Sequence, residues 1–161
     1  MYKRTSLLLV LVLAIGTFAA VANAKKASKH KLSATVQLAT ITQDSNFPAV
    51  GSAVTDAGIV KARPGGRGAE TDALKVTAAP APGQLTLKGS SILFFAKGTE
   101  TAKITIQAAI QADGSITYTG TGKFTKGTGL YKGITGNVTF SGSSPSGSSV
   151  VTLQVKGTAK Y

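Results

Sequence analysis

The chain has 161 residues, 18 basic and 6 acidic residues, a formal net charge of +12, one histidine and no cysteine. Without cysteine there are no disulfides, thiolate nucleophiles or sulfur-ligated metals, and a single histidine leaves zinc or copper sites and Ser-His-Asp triads poorly supplied. No metal or other cofactor is therefore expected, and the chemistry that remains must rest on carboxyl, hydroxyl and phenol groups.

The first residues, MYKRTSLLLVLVLAIGTFAAVANA, place Lys3 and Arg4 before an apolar run and end on Ala22, Asn23 and Ala24. This is the pattern of a secretory signal peptide over residues 1–24, cut after Ala24, and the apolar run is shorter than the roughly 20 residues a membrane span needs. The expected address is secreted or cell envelope, with no membrane span after cleavage and a bacterial rather than a disulfide-stapled animal character. Without Lys3 and Arg4 the mature chain carries 16 basic against 6 acidic residues, a net charge of +10. Such a surplus favours an anionic cell-envelope polymer as partner, or serves solubility alone. No specific nucleic-acid motif is present.

The mature chain opens with KKASKHK, residues 25–31, which lacks apolar periodicity and is expected to be a basic flexible arm. From there to the end, residues 32–161 form one domain with a rhythm of two. Leu32, Ala34, Val36 and Leu38 alternate with Ser33, Thr35 and Gln37, and the pattern returns with Val50, Val54 and Val60 and with Leu85 and Leu87. It continues with Ile104, Ile106, Ala108 and Ile110, with Ile116 and Tyr118, with Ile134, Val138 and Phe140, and with Val151, Leu153, Val155, Ala159 and Tyr161. This is the signature of half-buried strands, and no segment after the leader has helical spacing. Loops are expected at 62–70 (ARPGGRGAE), 78–84 (AAPAPGQ) and 141–149 (SGSSPSGSS), with turns at Asp113-Gly114 and at 96–101. Eight or nine short strands close as a sandwich or a barrel; small inward residues and strand glycines favour the barrel.

The stretch GTGKFTKGTGLYKGITGNVTFSG, residues 120–142, has seven glycines and three lysines. It is not a phosphate loop: five residues before Gly122, where a glycine must open one, stands Thr117, and Phe124 stands where Ser or Thr is required. Gly127 and Gly129 begin a dinucleotide fingerprint that Lys132 breaks. The glycines read instead as bends in strands, with Phe124, Tyr131, Ile134 and Phe140 covering the gaps. Asn137-Val138-Thr139 matches a glycosylation sequon but lies inside a strand pattern, which argues against its use.

With ITIQAAIQADGSITYT before it and VVTLQVKGTAKY after it, this glycine-rich stretch resembles the C-terminal half of the allene oxide cyclase and dirigent barrel superfamily. AVGSAVTDAGIV resembles the second strand of that family. The resemblance implies an all-β fold, a single antiparallel eight-stranded closed β-barrel, often a homo-oligomer, with a cavity at one mouth. In plant members that cavity cyclises an epoxide or steers radical coupling; no catalytic residue of theirs maps onto this chain.

Three residues are candidates for cavity or rim contacts. Asp56 shares its parity with Val54 and Val60 and so points inward in an unbroken strand, but a bulge at Ala57-Gly58 would turn it outside, and strand glycines often mark bulges, so the outward placement is favoured. Glu100 is expected in a hairpin turn at the rim, exposed beside Lys97 or Lys103. Tyr118 shares the apolar face with Ile116, as core or as ligand contact. The functional expectation is an exported barrel that binds a small apolar ligand or an anionic envelope surface; the alternatives are a cyclase- or dirigent-type enzyme and a structural matrix component.

Overall fold

The computed structural model describes residues 27–161. The leader, its cleavage point after Ala24 and Lys25 and Lys26 lie outside these residues. Eight antiparallel strands follow one another and close into a barrel: β1 (Lys29–Gln43), β2 (Ala53–Arg63), β3 (Gly66–Ala81), β4 (Gln84–Phe95), β5 (Gly98–Ile110), β6 (Ile116–Gly127), β7 (Thr135–Ser144) and β8 (Val150–Lys160). Each strand pairs with the next, and β8 returns to β1 from Lys29↔Lys160 to Ala39↔Val150. Closure gives every strand a paired neighbour on both sides, so the sheet has no free edge strand. Among the described residues no helix is long and apolar enough to cross a membrane.

Because side chains alternate across a strand, a closed sheet sends every second residue inward. The core is that inward set: Val36 and Leu38 on β1, Val54 and Val60 on β2, Leu74 and Val76 on β3, Leu85 and Leu87 on β4, Ile104 and Ile106 on β5, Val138 and Phe140 on β7, and Leu153 on β8. The alternating segments at 32–42, 103–110, 116–124 and 134–140 and the closing one from Val151 lie on β1, β5, β6, β7 and β8, and the turn at Gly114 is present; of the loop expected at 141–149 only 145–149 is a connection, because 141–144 continue β7.

Three expectations are corrected. Residues 66–70 and 78–81, predicted as loops, are the two ends of β3, a single 16-residue strand, and the turns are confined to Pro64-Gly65 and Pro82-Gly83. The Gly and Pro residues do punctuate the chain there, but the turns they make are tight and the strands run up to them. Lys29, His30 and Lys31, placed in the flexible arm, belong to β1, where their backbones pair with β8 and the His30 ring stacks on Tyr161 at a centroid distance of 4.5 Å. Val50 lies in the 44–52 connection and is exposed, outside the inward row that begins at Val54.

The two ends of the barrel differ. A single 3-10 turn, Gly129–Tyr131, folds over one end and drives Tyr131 inside, 2% exposed, against Phe95 at 5.7 Å and Tyr161 at 5.1 Å between ring centroids. The other end, ringed by residues 44–52, 82–83, 111–115 and 145–149, is the mouth.

The glycine-rich stretch forms the β6–β7 seam. Gly120 pairs with Phe140 on β7, and the Phe140 ring occupies the place a side chain at Gly120 would take. A ring covering a glycine lets the sheet coil tightly without leaving a void. Gly120→Val is expected to destabilise the protein by about 2–3 kcal/mol, the cost of forcing extra atoms into a packed core. Chemical denaturation checks this, and an unchanged midpoint contradicts the assignment.

Candidate functional site

The barrel interior holds four of the six carboxyl groups of the chain: Asp56 on β2, Glu70 and Asp72 on β3, and Glu100 on β5. Their placement follows from register. Asp56 lies directly opposite Asp72, and Asp72 opposite Ser91 on β4; one step deeper, Glu70 faces Leu93, which faces Glu100. Asp72 is 3% exposed, Glu100 6% and Glu70 8%.

Asp56 points inward, against the favoured outward placement. The pairing of β2 with β3 runs unbroken from Ala53 to Ala62, through Ala57 and Gly58, so parity is kept. The bulge lies across the strand boundary on β1, where register shifts between Thr40 and Thr42 and Ile41 is turned out to solvent. It leaves Thr40 beside Asp56, and the Thr40 hydroxyl donates to Asp56 Oδ1 at 2.8 Å. Bulges at barrel rims re-aim side chains in this way.

Glu100, predicted in an exposed turn, is the third residue of β5 and is buried. The turn before it is only Ala96-Lys97, so the strand has already begun and its parity aims Glu100 inside while Lys103 points out. Tyr118 lies on the inward face of β6 and lines the mouth cavity with Asp56.

Glu70, Asp72 and Ser91 were not among the sequence candidates. The Ser91 hydroxyl donates to Glu70 Oε1 at 2.7 Å, and Asp72 is a close neighbour of both residues. Glu70 Oε2 and Asp72 Oδ1 have no hydrogen-bond partner among the described residues. Leu74 and Val76, which share the parity of Glu70 and Asp72, are the signal in the sequence that aims both acids inward.

Two cavities meet at this cluster. The mouth cavity has a volume of about 460 Å³; Leu38, Leu85, Leu87, Ile116 and Val151 give it apolar walls, and Thr40, Asp56, Asp72 and Tyr118 are its main polar groups. The inner cavity, about 70 Å³, is lined by Glu70, Asp72, Ser91 and Glu100 among apolar residues. Asp72, Ile106, Phe140 and Leu153 line both. No Lys, Arg or His lines either one.

Burial without a countercharge disfavours ionisation. Burial, reinforced by the neighbouring Glu70 charge, pushes Asp72 up to about 8, and burial with Glu70 pushes Glu100 up to about 7. Burial also raises Glu70, against the hydrogen bond from Ser91, and raises Asp56, against the hydrogen bond from Thr40. The Tyr118 phenol is raised by burial and then by the Asp56 charge. At neutral pH the interior thus contains carboxylic acids that keep their protons. Among the described residues no group of three or more His, Cys, Asp or Glu is disposed to hold a metal ion.

No family model matches the chain, and none of the curated proteins matches it.

The raised carboxyls make stability depend on pH with a definite sign. The folded state binds more protons than the unfolded chain between the ordinary carboxyl values, 3.8 for Asp and 4.5 for Glu, and about 8. Stability is full below that window and is lost as pH rises through about 7 for Glu100 and about 8 for Asp72. Asp72→Asn, which mimics the protonated acid, is expected to flatten the fall, adding on the order of 2 kcal/mol or more at about pH 8.5 and changing little at about pH 3.5. Denaturant titrations across pH read this out; a wild-type stability that rises from pH 5 to pH 8 contradicts it.

Proposed function

We propose that this protein is an exported barrel that holds a small, mainly apolar ligand in its mouth cavity. The observation that carries this reading is the cavity itself, about 460 Å³ with apolar walls and the polar groups of Thr40, Asp56 and Tyr118 converging on it. Ligand sites have this character: concave, largely apolar, with a few placed polar groups, and on the order of 300–1,000 Å³. The signal-like leader supports export, and the eight-stranded closure with the Gly120–Phe140 seam supports kinship with the allene oxide cyclase and dirigent barrels.

Charge segregation supports a second contact on the same molecule. The mouth connections, residues 44–52, 82–83, 111–115 and 145–149, contain no Lys or Arg. Lys29, Lys31, Arg63, Arg67, Lys97, Lys132 and Lys160 gather at the opposite end. An anionic envelope polymer bound there leaves the mouth free, and its binding weakens steeply with salt.

An enzymatic reading, of the cyclase or dirigent type, is favoured by one feature. Asp72, held near 8, and Glu100, held near 7, border apolar space, and a carboxylic acid that remains protonated at neutral pH can donate its proton to a bound group.

Thermal-shift screening of short-chain apolar compounds tests the binding reading, since a ligand that binds only the folded state raises the melting temperature. Val151→Trp places a large ring in the mouth cavity and is expected to abolish the shifts while the variant stays folded. Shifts that survive in Val151→Trp, or a screen in which no apolar compound shifts the wild type, contradict the reading.

A further inference from the structure

We propose that the ligand of the mouth cavity is an amphiphilic cation, with an apolar body against the cavity walls and a positively charged head group between Asp56 and Asp72. This ligand class rests on the cavity reading above and adds the sign of the charge.

The first support is register. Asp56 and Asp72 are directly opposed on adjacent strands and face the same way, which brings their Cβ atoms within about 5 Å. Like charges so placed destabilise a sheet, and nothing in the wall offsets them, because neither cavity is lined by Lys, Arg or His. The second support is independent of the cluster's charge. Asp72 is 3% exposed, lines the mouth cavity, and its Oδ1 has no hydrogen-bond partner among the described residues. A buried polar atom left unpaired costs stability, and a ligand group that meets it recovers that cost. Asp56, at the same level, already accepts the Thr40 hydroxyl, which fixes its carboxyl at the cavity wall.

Chemistry then selects among head groups. An anion finds no countercharge, since no Lys, Arg or His lines either cavity, and it is repelled by each carboxyl that ionises. A neutral hydroxyl satisfies one lone pair without using the charge. A cation does both, and it takes the place of the proton that the pair otherwise retains, which leaves for solvent when the cation binds. Cation affinity must therefore rise with pH. The titratable groups facing the pair are Glu70 on β3, Glu100 on β5 and Tyr118 on β6. Strands β1, β4, β7 and β8 contribute no titratable side chain to the lining of either cavity. The Tyr118 ring adds a surface on which a quaternary ammonium is favourably held.

Calorimetric titration of the mature protein with three matched probes, octyltrimethylammonium, octanol and octanoate, tests the proposal. Octyltrimethylammonium is expected to bind at least about tenfold more tightly than either of the others, and to tighten about tenfold or more between about pH 5 and about pH 8. Octanol is expected to bind with little pH dependence. In Asp56→Asn and Asp72→Asn the advantage of the cation over octanol falls to about twofold or less, while octanol binding is retained. If octanol or octanoate binds the wild type as tightly as the cation, or the advantage persists in the double variant, the cavity still binds apolar ligands but the cation assignment is overturned. If none of the three binds, both the cavity reading and the assignment fall. The wild-type comparison of probes and pH needs no variant to fold.

Discussion

Closure of the sheet between β1 and β8 is the constraint on which the remaining features depend. In an open sheet a strand with an acid on its apolar face can turn that face to water. In a closed barrel it cannot, because parity and closure together decide which side chains are inside. The pairing of β2 with β3 holds without interruption from Ala53 to Ala62. It therefore brings Asp56 opposite Asp72 in the interior, whatever the cost of leaving two carboxyl groups there. The β4 register then puts Ser91 against the same pair, and the β5 register sets Glu100 one level deeper.

The result is an inversion of charge across the wall. Among the described residues Lys and Arg are outside, concentrated away from the mouth, while four of the six acids are inside. Buried carboxyl groups without a cation stay protonated, and their raised affinity for protons follows from burial first and mutual repulsion second. Such an arrangement lowers stability at neutral pH relative to an apolar core, and local conflicts of this kind concentrate at functional sites. The Tyr131, Phe95 and Tyr161 rings pack together at the opposite end, and the larger cavity lies on the mouth side, where it reaches Asp56 and Asp72.

Much of this fold was legible in the sequence. The alternation of Val36 with Gln37 or Ile104 with Thr105 is undisturbed, because apolar residues fill the inward positions and polar ones the outward positions. Gly120 and Phe140 were likewise readable as parts of a bending seam. The acidic face of β3 was not, for a physical reason. In ARPGGRGAE the density of Gly, Pro and charge signals a loop, and Glu70 and Asp72 occupy the positions where apolar residues would have marked a strand. The same feature that makes the site chemically interesting erased its hydrophobic pattern. Asp56 was ambiguous because a glycine follows two residues later, and sequence alone does not say on which of two paired strands a bulge falls; here it falls at Ile41. Glu100 was misplaced because a two-residue turn leaves it inside the strand rather than at the turn.

The acidic interior stands or falls on its carboxyl groups being protonated at neutral pH. Carbon-13 NMR of the side-chain carboxyl resonances, assigned with Asp72→Asn and Glu100→Gln, tests it most directly. Asp72 is expected to titrate near 8 and Glu100 near 7 in the folded protein, with Asp113 at the exposed turn titrating below the ordinary value of 3.8. Titration of Asp72 and Glu100 together with free carboxylates, near 3.8 and 4.5, would contradict it.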